Sequence, residues 1–261
     1  MITVNNLVKK FDGRTVLSGI NLEVKTGETM VIMGGSGCGK STLLRHLVGY
    51  YRPDQGEILF DGKDIAKMTE AQLDAVRKKF GILFQSGALL NSLSVGENVA
   101  LPLREHSDLN DEIIKIIVKI KLELVGLTGF ENLMPSQISG GMKKRVGLAR
   151  AIALDPQIVF YDEPGAGLDP ITTAVIDRLI VDLSKKLGIT SIVVTHEMKS
   201  AFRIADRMAM LYEGKVIAVG TPDEIRDSSN PLVQQFITGS ADGPVPLRRS
   251  SEEYIKSLTG V

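Results

Sequence analysis

A run of small and charged residues at 34–41, Gly-Gly-Ser-Gly-Cys-Gly-Lys-Ser, has the spacing of a phosphate-binding loop. The apolar run 30–33 before it predicts a strand and residues 42–47 predict a helix, the context that such loops require; an ordinary glycine-rich turn is the alternative. Glycines let successive N–H groups turn toward phosphate oxygens, and the following helix start favours an anion. We expect Lys40 to reach the β- and γ-phosphates of a nucleotide and the Ser41 hydroxyl to ligate Mg²⁺. The residues expected to contact the nucleotide here are Gly34, Gly35, Ser36, Gly37, Cys38, Gly39, Lys40, Ser41 and Thr42.

Two adjacent carboxylates, Asp162 and Glu163, directly follow the apolar run 158–161. Such a strand is expected to be buried, with its last residues at the ligand edge of the sheet. Asp162 is predicted to hold Mg²⁺ through water. Glu163 is predicted to be the general base, or the group that orients the attacking water. A solvated turn is the alternative interpretation of the pair.

A second candidate anion site is Ser139-Gly140-Gly141, which precedes the basic, alanine-rich segment 143–153. A serine and two glycines at a helix start offer free N–H groups and the favourable end of the helix dipole. The residues alone leave open a simple capped helix.

Composition narrows the class of protein. The chain has 261 residues, of which 43% are hydrophobic and 24% charged, as in a globular protein. The formal net charge of zero and the absence of tryptophan argue against a nucleic-acid surface. The single cysteine cannot form an internal disulfide, and no apolar run approaches the ~20 residues of a membrane span. We therefore expect any action on a membrane to pass through a partner.

The order of the predicted elements indicates the fold class. Short strands within 2–30 are followed by strands that alternate with helices, which implies a mostly parallel sheet covered on both faces. Residues 86–153 have the pattern of a helical insertion between two strands of that sheet. Within it, Asn110 is expected to cap a helix whose apolar residues recur at three- and four-residue spacing. Those residues are Ile113, Ile116, Ile117, Ile120 and Leu124. The tail after Phe236 is expected to extend away from the core.

In this order, the motifs resemble those of the ATP-binding cassette (ABC) ATPase family over residues 1 to about 240. The resemblance implies an α/β phosphate-loop NTPase (RecA-like) with a mixed sheet, an N-terminal antiparallel β subdomain and an inserted α-helical signature subdomain. The ATPase domain would span 1–238, with the helical subdomain at about 86–153, and 239–261 would be a C-terminal extension. ATP and Mg²⁺ would bind between two copies of the chain.

The resemblance also implies a role for individual residues. Phe11 would stack on adenine, Gln85 would contact the metal and the attacking water, and His196 would be the switch histidine near the γ-phosphate. Ser139, Gly140 and Gly141 match the family signature, and Asp169 lies in the short loop at the dimer seam. The usual signature glutamine is Met142 here; since the donors are the serine hydroxyl and glycine N–H groups, we expect activity to survive.

Four segments, 84–90, 97–106, 133–142 and 241–247, more specifically resemble the ATPase subunit of bacterial Mla/Mce-type phospholipid transporters. That resemblance implies phospholipid transport between inner and outer membranes. It also implies a homodimer on the cytoplasmic face of the inner membrane, with a membrane permease subunit of MlaE type and an Mce-domain lipid-binding protein. Two alternatives stay open: an ABC importer ATPase for another small substrate, and a regulatory ABC ATPase without a transport role. The segment 85–103, with Leu89, Leu90 and Leu93, is the expected permease-docking surface, and the tail 239–261 is expected to reach a neighbouring subunit.

Overall fold

Two sheets and a set of covering helices form the chain in its computed structural model, which describes residues 1–245. The strands are β1 Ile2–Phe11, β2 Arg14–Val24, β3 Thr29–Met33, β4 Gln55–Phe60, β5 Lys63–Asp64, β6 Phe80–Leu83, β7 Ile158–Asp162, β8 Thr190–Thr195, β9 Arg207–Tyr212 and β10 Lys215–Gly220. The helices are α1 Lys40–Leu47, α2 Glu70–Arg77, α3 Val95–His106, α4 Asp111–Leu124, α5 Gly140–Ala151, α6 Pro170–Leu187, α7 Met198–Ile204, α8 Pro222–Arg226 and α9 Pro231–Thr238. Within residues 1–245, no helix has the length and hydropathy needed to cross a membrane.

The larger sheet places the candidate site. Its strand order is β10-β9-β3-β8-β7-β6, and all neighbours are parallel except β10, which pairs antiparallel with β9. Met33 pairs with Thr195, Asp162 with Val194, and Leu83 with Tyr161. The carboxyl ends of β3, β8, β7 and β6 therefore meet at one edge. The predicted α/β fold with a mixed sheet is confirmed.

The smaller sheet is antiparallel, with the order β2-β1-β4-β5. Its apolar face, with Ile20 and Ile58, shares a core cluster with Ile32 and Phe160 of the larger sheet. The strands are longer than the sequence suggested, since β1 continues through two lysines to Phe11. The N-terminal antiparallel part of the predicted fold is present.

Helices α3, α4 and α5 lie in the chain between β6 and β7, where a helical insertion was predicted. Asn110 caps α4 as expected, since its side chain accepts a hydrogen bond from the N–H of Ile113.

Helix α4 buries a side other than the one on which most of the regularly spaced isoleucines lie. Ile114, Val118 and Leu122 are buried, whereas Ile113, Ile116 and Ile120 are exposed. The helix is apolar around much of its circumference, so the spacing of the isoleucines did not identify the buried side.

The beginning of the tail folds back instead of extending away. The side chain of Gln235 on α9 accepts a hydrogen bond from the Val245 N–H at 2.7 Å and donates to the carbonyls of Ser240 and Val245 at 3.4 and 3.3 Å. Residues 240–245 are thereby held against α9. The rest of the predicted extension, 246–261, lies outside the described residues, so its contact with a neighbouring subunit stays a prediction.

Candidate functional site

The phosphate-binding loop joins β3 to α1, and its path depends on glycine at two positions. Gly34 has a φ of 155°, and a Cβ there would lie 2.2 Å from the carbonyl oxygen of Leu211. Gly39 has a φ of 109°, and its Cβ would lie 2.8 Å from a methyl group of Leu17. The loop therefore packs against the strands beneath it so closely that no larger residue fits without displacement.

The mouth of this loop presents donors to an anion. Helix α1 begins at Lys40, and its N-cap Gly39 provides no side-chain cap. The Lys40 ammonium is buried and donates to the carbonyls of Gly34 at 2.7 Å and Gly35 at 2.9 Å. The loop thus offers the uncapped N-terminus of α1 and the Lys40 ammonium group, and both attract the negative charge of a phosphate chain.

Asp162, the last residue of β7, has an oxygen atom suited to a metal. The buried Oδ1 of its carboxylate has no hydrogen-bond partner among the described residues, and the Ser41 side chain is its neighbour. Burial and then the charge of Glu163 raise the pKa of Asp162, and the charges of Arg45 and Lys40 oppose this. A hard divalent cation prefers such oxygen ligands, so Ser41 and Asp162 fit Mg²⁺.

The structure brings Glu163 and His196 together, although 33 positions separate them in the chain. Glu163 Oε1 lies 2.9 Å from His196 Nδ1, and Oε2 accepts from the His196 backbone N–H at 3.3 Å. Glu163 has a φ of 49°, a left-handed conformation uncommon for a residue with a side chain. Its N–H donates to the carbonyl of Val194 at 2.9 Å, so main-chain and side-chain bonds both fix this carboxylate.

Gln85 lies two residues beyond β6 at the same edge of the sheet, and its side chain is exposed. The segment after it is held by Asn98 of α3, a residue that sequence reasoning missed. Asn98 is fully buried; its Oδ1 accepts from the Leu90 N–H at 2.8 Å, and its Nδ2 donates to the carbonyls of Leu90, Leu93 and Ser94.

Arg150 of α5 holds the same segment further back, where its guanidinium donates to the carbonyls of Gly87 and Ala88 at 2.8 and 2.7 Å. Of the leucines expected to be exposed, Leu90 is 46% exposed, whereas Leu89 and Leu93 are half-buried.

Phe11 ends β1 and is 36% exposed, as a ring that stacks on a base needs to be. Its ring lies 5.3 Å from that of Tyr51 in an edge-to-face arrangement, and Tyr51 contacts Tyr50 at 5.0 Å. Sequence reasoning missed these tyrosines. An adjacent aromatic pair just after α1, in a chain with few aromatic residues, was the available signal.

Ser139 and Gly140 are exposed at the start of α5, and Gly141 is buried. The Ser139 side chain caps the helix by accepting from the Met142 N–H at 3.2 Å, while the Met142 side chain packs on the core. The departure at Met142 therefore leaves the capping bond intact. Among the described residues, no hydrogen bond joins 139–141 to the phosphate-binding loop.

Asp169 is used within the chain as the N-cap of α6. Its carboxylate accepts from the N–H groups of Ile171 and Thr172 at 2.9 and 3.0 Å and from the Thr172 hydroxyl. These bonds, that of the hydroxyl first, lower the pKa of Asp169. Any contact of Asp169 with a nucleotide stays a prediction.

Known proteins resemble this chain along nearly its whole length. The sequence profile of the ABC transporter family matches residues 17–166. The intermembrane phospholipid transport system ATP-binding protein MlaF of Haemophilus influenzae is 47% identical, over 99% of this chain and 98% of the relative. The probable ribonucleotide transport ATP-binding protein mkl of Mycobacterium leprae is 42% identical, over 97% of this chain and 73% of the relative.

Among solved structures, the chain resembles the ATP-binding cassette MJ0796 in a dimeric post-hydrolysis state bound to ADP and Pi. The TM-score is 0.78 at 33% identity, over 85% of this chain and 99% of that one. That cassette is thus similar in fold and in sequence.

Proposed function

We propose that this chain, which belongs to the ABC transporter family and is an ATP-binding ATPase, powers the transport of phospholipid between membranes. The assignment of phospholipid as the substrate rests on the 47% identity with a phospholipid transport ATPase. This identity extends over 99% of this chain and 98% of the relative. The mycobacterial relatives named for ribonucleotide transport are less similar, and this chain covers 70–73% of their length. Phospholipid is therefore the favoured substrate.

In this proposal the loop at 34–42 binds the triphosphate. Lys40 exchanges its bonds to the carbonyls of Gly34 and Gly35 for bonds to phosphate oxygens, and Phe11 stacks on the adenine. Ser41 and Asp162, joined by Gln85, would hold Mg²⁺, which would neutralise charge on the phosphates. No group of three or more histidine, cysteine or acidic side chains within 1–245 could hold a metal alone, which fits a cation held largely by phosphate and water oxygens.

Glu163 acts as the general base in this mechanism. Its carboxylate takes the proton of the attacking water, and the hydrogen bond with His196 fixes the direction in which it faces. Glu163→Gln keeps the shape and removes the base, so turnover should fall by about 10²–10⁴-fold while ATP affinity is kept. Lys40→Ala should instead lose ATP affinity. Near wild-type turnover of Glu163→Gln, measured by phosphate release from the purified complex, would contradict this role.

Two copies of the chain complete each site. Ser139 and Gly140 are exposed and have no hydrogen bond to the loop of their own chain within 1–245, and the similar cassette MJ0796 is a dimer. We place Ser139, Gly140 and Gly141 of one copy, with Asp169 at the seam, against the nucleotide of the other. Mixed dimers with Ser139→Arg in one copy and Lys40→Ala in the other should retain one working site; dimers that bind no ATP there would refute the shared geometry.

A permease is the proposed membrane partner, and it would hold the chain at the cytoplasmic face of the membrane. A cleft of about 800 Å³ between the larger sheet and the helical insertion is lined by residues that include Phe84, Leu101 and Arg150. Phe84 is 46% exposed, and such apolar surface marks partner sites. Leu90 lies on the adjoining segment.

The docking surface and the substrate can be tested separately. Leu90→Asp should abolish co-purification with the permease, whereas Leu109→Asp, at an exposed leucine between α3 and α4, should not. Unchanged co-purification of Leu90→Asp would count against docking. For the substrate, the complex reconstituted with the permease and the Mce-domain partner should transfer labelled phospholipid between vesicles in an ATP-dependent way. ATP-dependent uptake of ribonucleotide without lipid transfer would favour the alternative.

A further inference from the structure

Lys144 is a buried lysine that neither the sequence motifs nor the proposed mechanism uses. It lies on α5, is 4% exposed, and donates a hydrogen bond to the main-chain carbonyl of Glu163 at 3.2 Å. Burial lowers the pKa of Lys144, and the charges of Asp162 and Glu163 oppose this effect. Burying an ammonium group costs free energy unless a partner compensates its charge. The buried position of Lys144 against the main chain of Glu163 therefore indicates a functional role for this lysine.

The same helix begins with the residues that we place against the partner's nucleotide. Lys144 follows Ser139 by five positions, which corresponds to roughly 7–8 Å along a helix. In the proposed dimer, one end of α5 therefore faces the site completed by the partner, and its second turn bonds the main chain of Glu163 in the chain's own site.

Close packing makes α5 a rigid connection between these two points. A Cβ at Gly141 would lie 2.5 Å from a methyl group of Thr172 on α6. A Cβ at Gly147 would lie 2.9 Å from Leu83 at the end of β6 and 3.1 Å from the Gly87 carbonyl. A helix packed this closely cannot shift without moving its neighbours.

The main chain at Glu163 is the place where such a shift matters. Glu163 holds a left-handed φ of 49°, which a residue with a side chain keeps only when its surroundings fix it. Its N–H is bonded to Val194, and its carbonyl is bonded to Lys144. These two main-chain bonds, together with the side-chain bonds to His196, fix where the carboxylate lies.

We propose that Lys144 is a positioning residue that couples α5 to Glu163. When the nucleotide bound by the partner copy contacts 139–141 of this copy, α5 and Lys144 orient Glu163 in this copy's own site. The inference rests on the proposed shared site and adds a route by which each site senses the other.

The test compares three variants in the complex with the permease. Lys144→Met keeps the length and removes the donor, Lys144→Arg keeps a donor, and Lys143→Met changes a half-buried neighbour on the same helix. Turnover is measured against ATP concentration and divided by the number of bound fluorescent ATP analogues per chain, which corrects for unfolded protein.

Lys144→Met should lower kcat by about 10–100-fold with KM changed less than about threefold, because a base misplaced by ~1 Å costs about 10²-fold. Lys144→Arg should restore part of kcat, and Lys143→Met should stay near wild type. An unchanged kcat in Lys144→Met would overturn the proposal.

Mixed dimers purified with two tags identify which site Lys144 serves. With Lys144→Met and Glu163→Gln in the same copy, the other copy keeps an intact base and about half of the wild-type turnover is expected. With the two changes in opposite copies, the single remaining base lacks its lysine, and turnover should fall well below that. The reverse order would overturn the proposal. Wild-type turnover of Glu163→Gln homodimers would instead show that Glu163 is not the base, so the proposed mechanism would fail before the role of Lys144 is tested. Loss of ATP hydrolysis by the unmodified complex would show that the proposed function itself is wrong.

Discussion

Replacing Asn98 with alanine should destabilise the chain by an amount that the hydrogen bonds predict. The change removes the partners of the Leu90 N–H and the Leu93 carbonyl. The Leu90 carbonyl still accepts from the Leu93 N–H at 3.2 Å, and the Ser94 carbonyl from the backbone N–H of residue 98 at 2.9 Å. Two main-chain groups are thus left without a partner, at about 1–3 kcal/mol each when water is excluded. Because the segment is partly exposed, we expect a loss of about 2–3 kcal/mol in the free energy of unfolding.

Equilibrium unfolding in urea measures this loss, with the dependence on urea concentration unchanged if only the folded state is affected. Asn91→Ala is the matched control, since Asn91 is exposed on the same segment, and it should stay within about 0.5 kcal/mol of wild type. Asn98→Asp keeps the acceptor for Leu90 but sets a carboxylate against carbonyl oxygens, so it should be less stable than the alanine variant. The reasoning fails if Asn98→Ala unfolds within about 0.5 kcal/mol of wild type, or if Asn98→Asp equals wild type.

Further predictions concern packing and titration. Gly141→Ala should cost about 1–3 kcal/mol in urea unfolding because its Cβ meets a methyl group of Thr172, and adding Thr172→Ser, which removes that methyl, should recover most of the loss. Burial lowers the pKa of His46 below its ordinary value of 6.5, so the unfolded chain binds the extra proton and the free energy of unfolding falls as the pH drops below about 6.5. His46→Gln should make that fall shallower between pH 7 and 5; an identical slope would contradict the assignment. Burial raises the pKa of the Cys38 thiol, so alkylation at pH 8 should be slow in the folded protein and fast in urea; equal rates would contradict the burial.

Local motifs were predictable because their chemistry lies in consecutive residues. The strand, loop and helix around 34–41 and the two carboxylates after 158–161 each appear where the sequence placed them. The contact between Glu163 and His196 follows from parallel strands that end at the same edge of the sheet. The sequence predicted that Glu163 lies at the ligand edge of the sheet, but it did not predict this contact with His196.

Side chains that bind main-chain carbonyls were not predictable in the same way. Asn98, Lys144 and Arg150 all donate to carbonyl oxygens, and every residue type offers a carbonyl, so the acceptors leave no pattern in the sequence. The buried side of α4 was not predictable for a different reason, since two stripes of the helix are apolar and only the packing selects one.

The side chains that make these carbonyl contacts all lie on the helical insertion, which bears on how ATP hydrolysis is controlled. Asn98 on α3 and Arg150 on α5 hold the segment after Gln85, and Lys144 on α5 holds the main chain of Glu163. The helical insertion thus holds two separate loops of the proposed active site. A permease would move this insertion through the segment after Gln85, and a second copy would move it through 139–141. Both movements would act on Glu163, the proposed base. Because the acceptors are main-chain atoms, such a movement would change where the Glu163 carboxylate lies without replacing any of the groups that we propose do the chemistry.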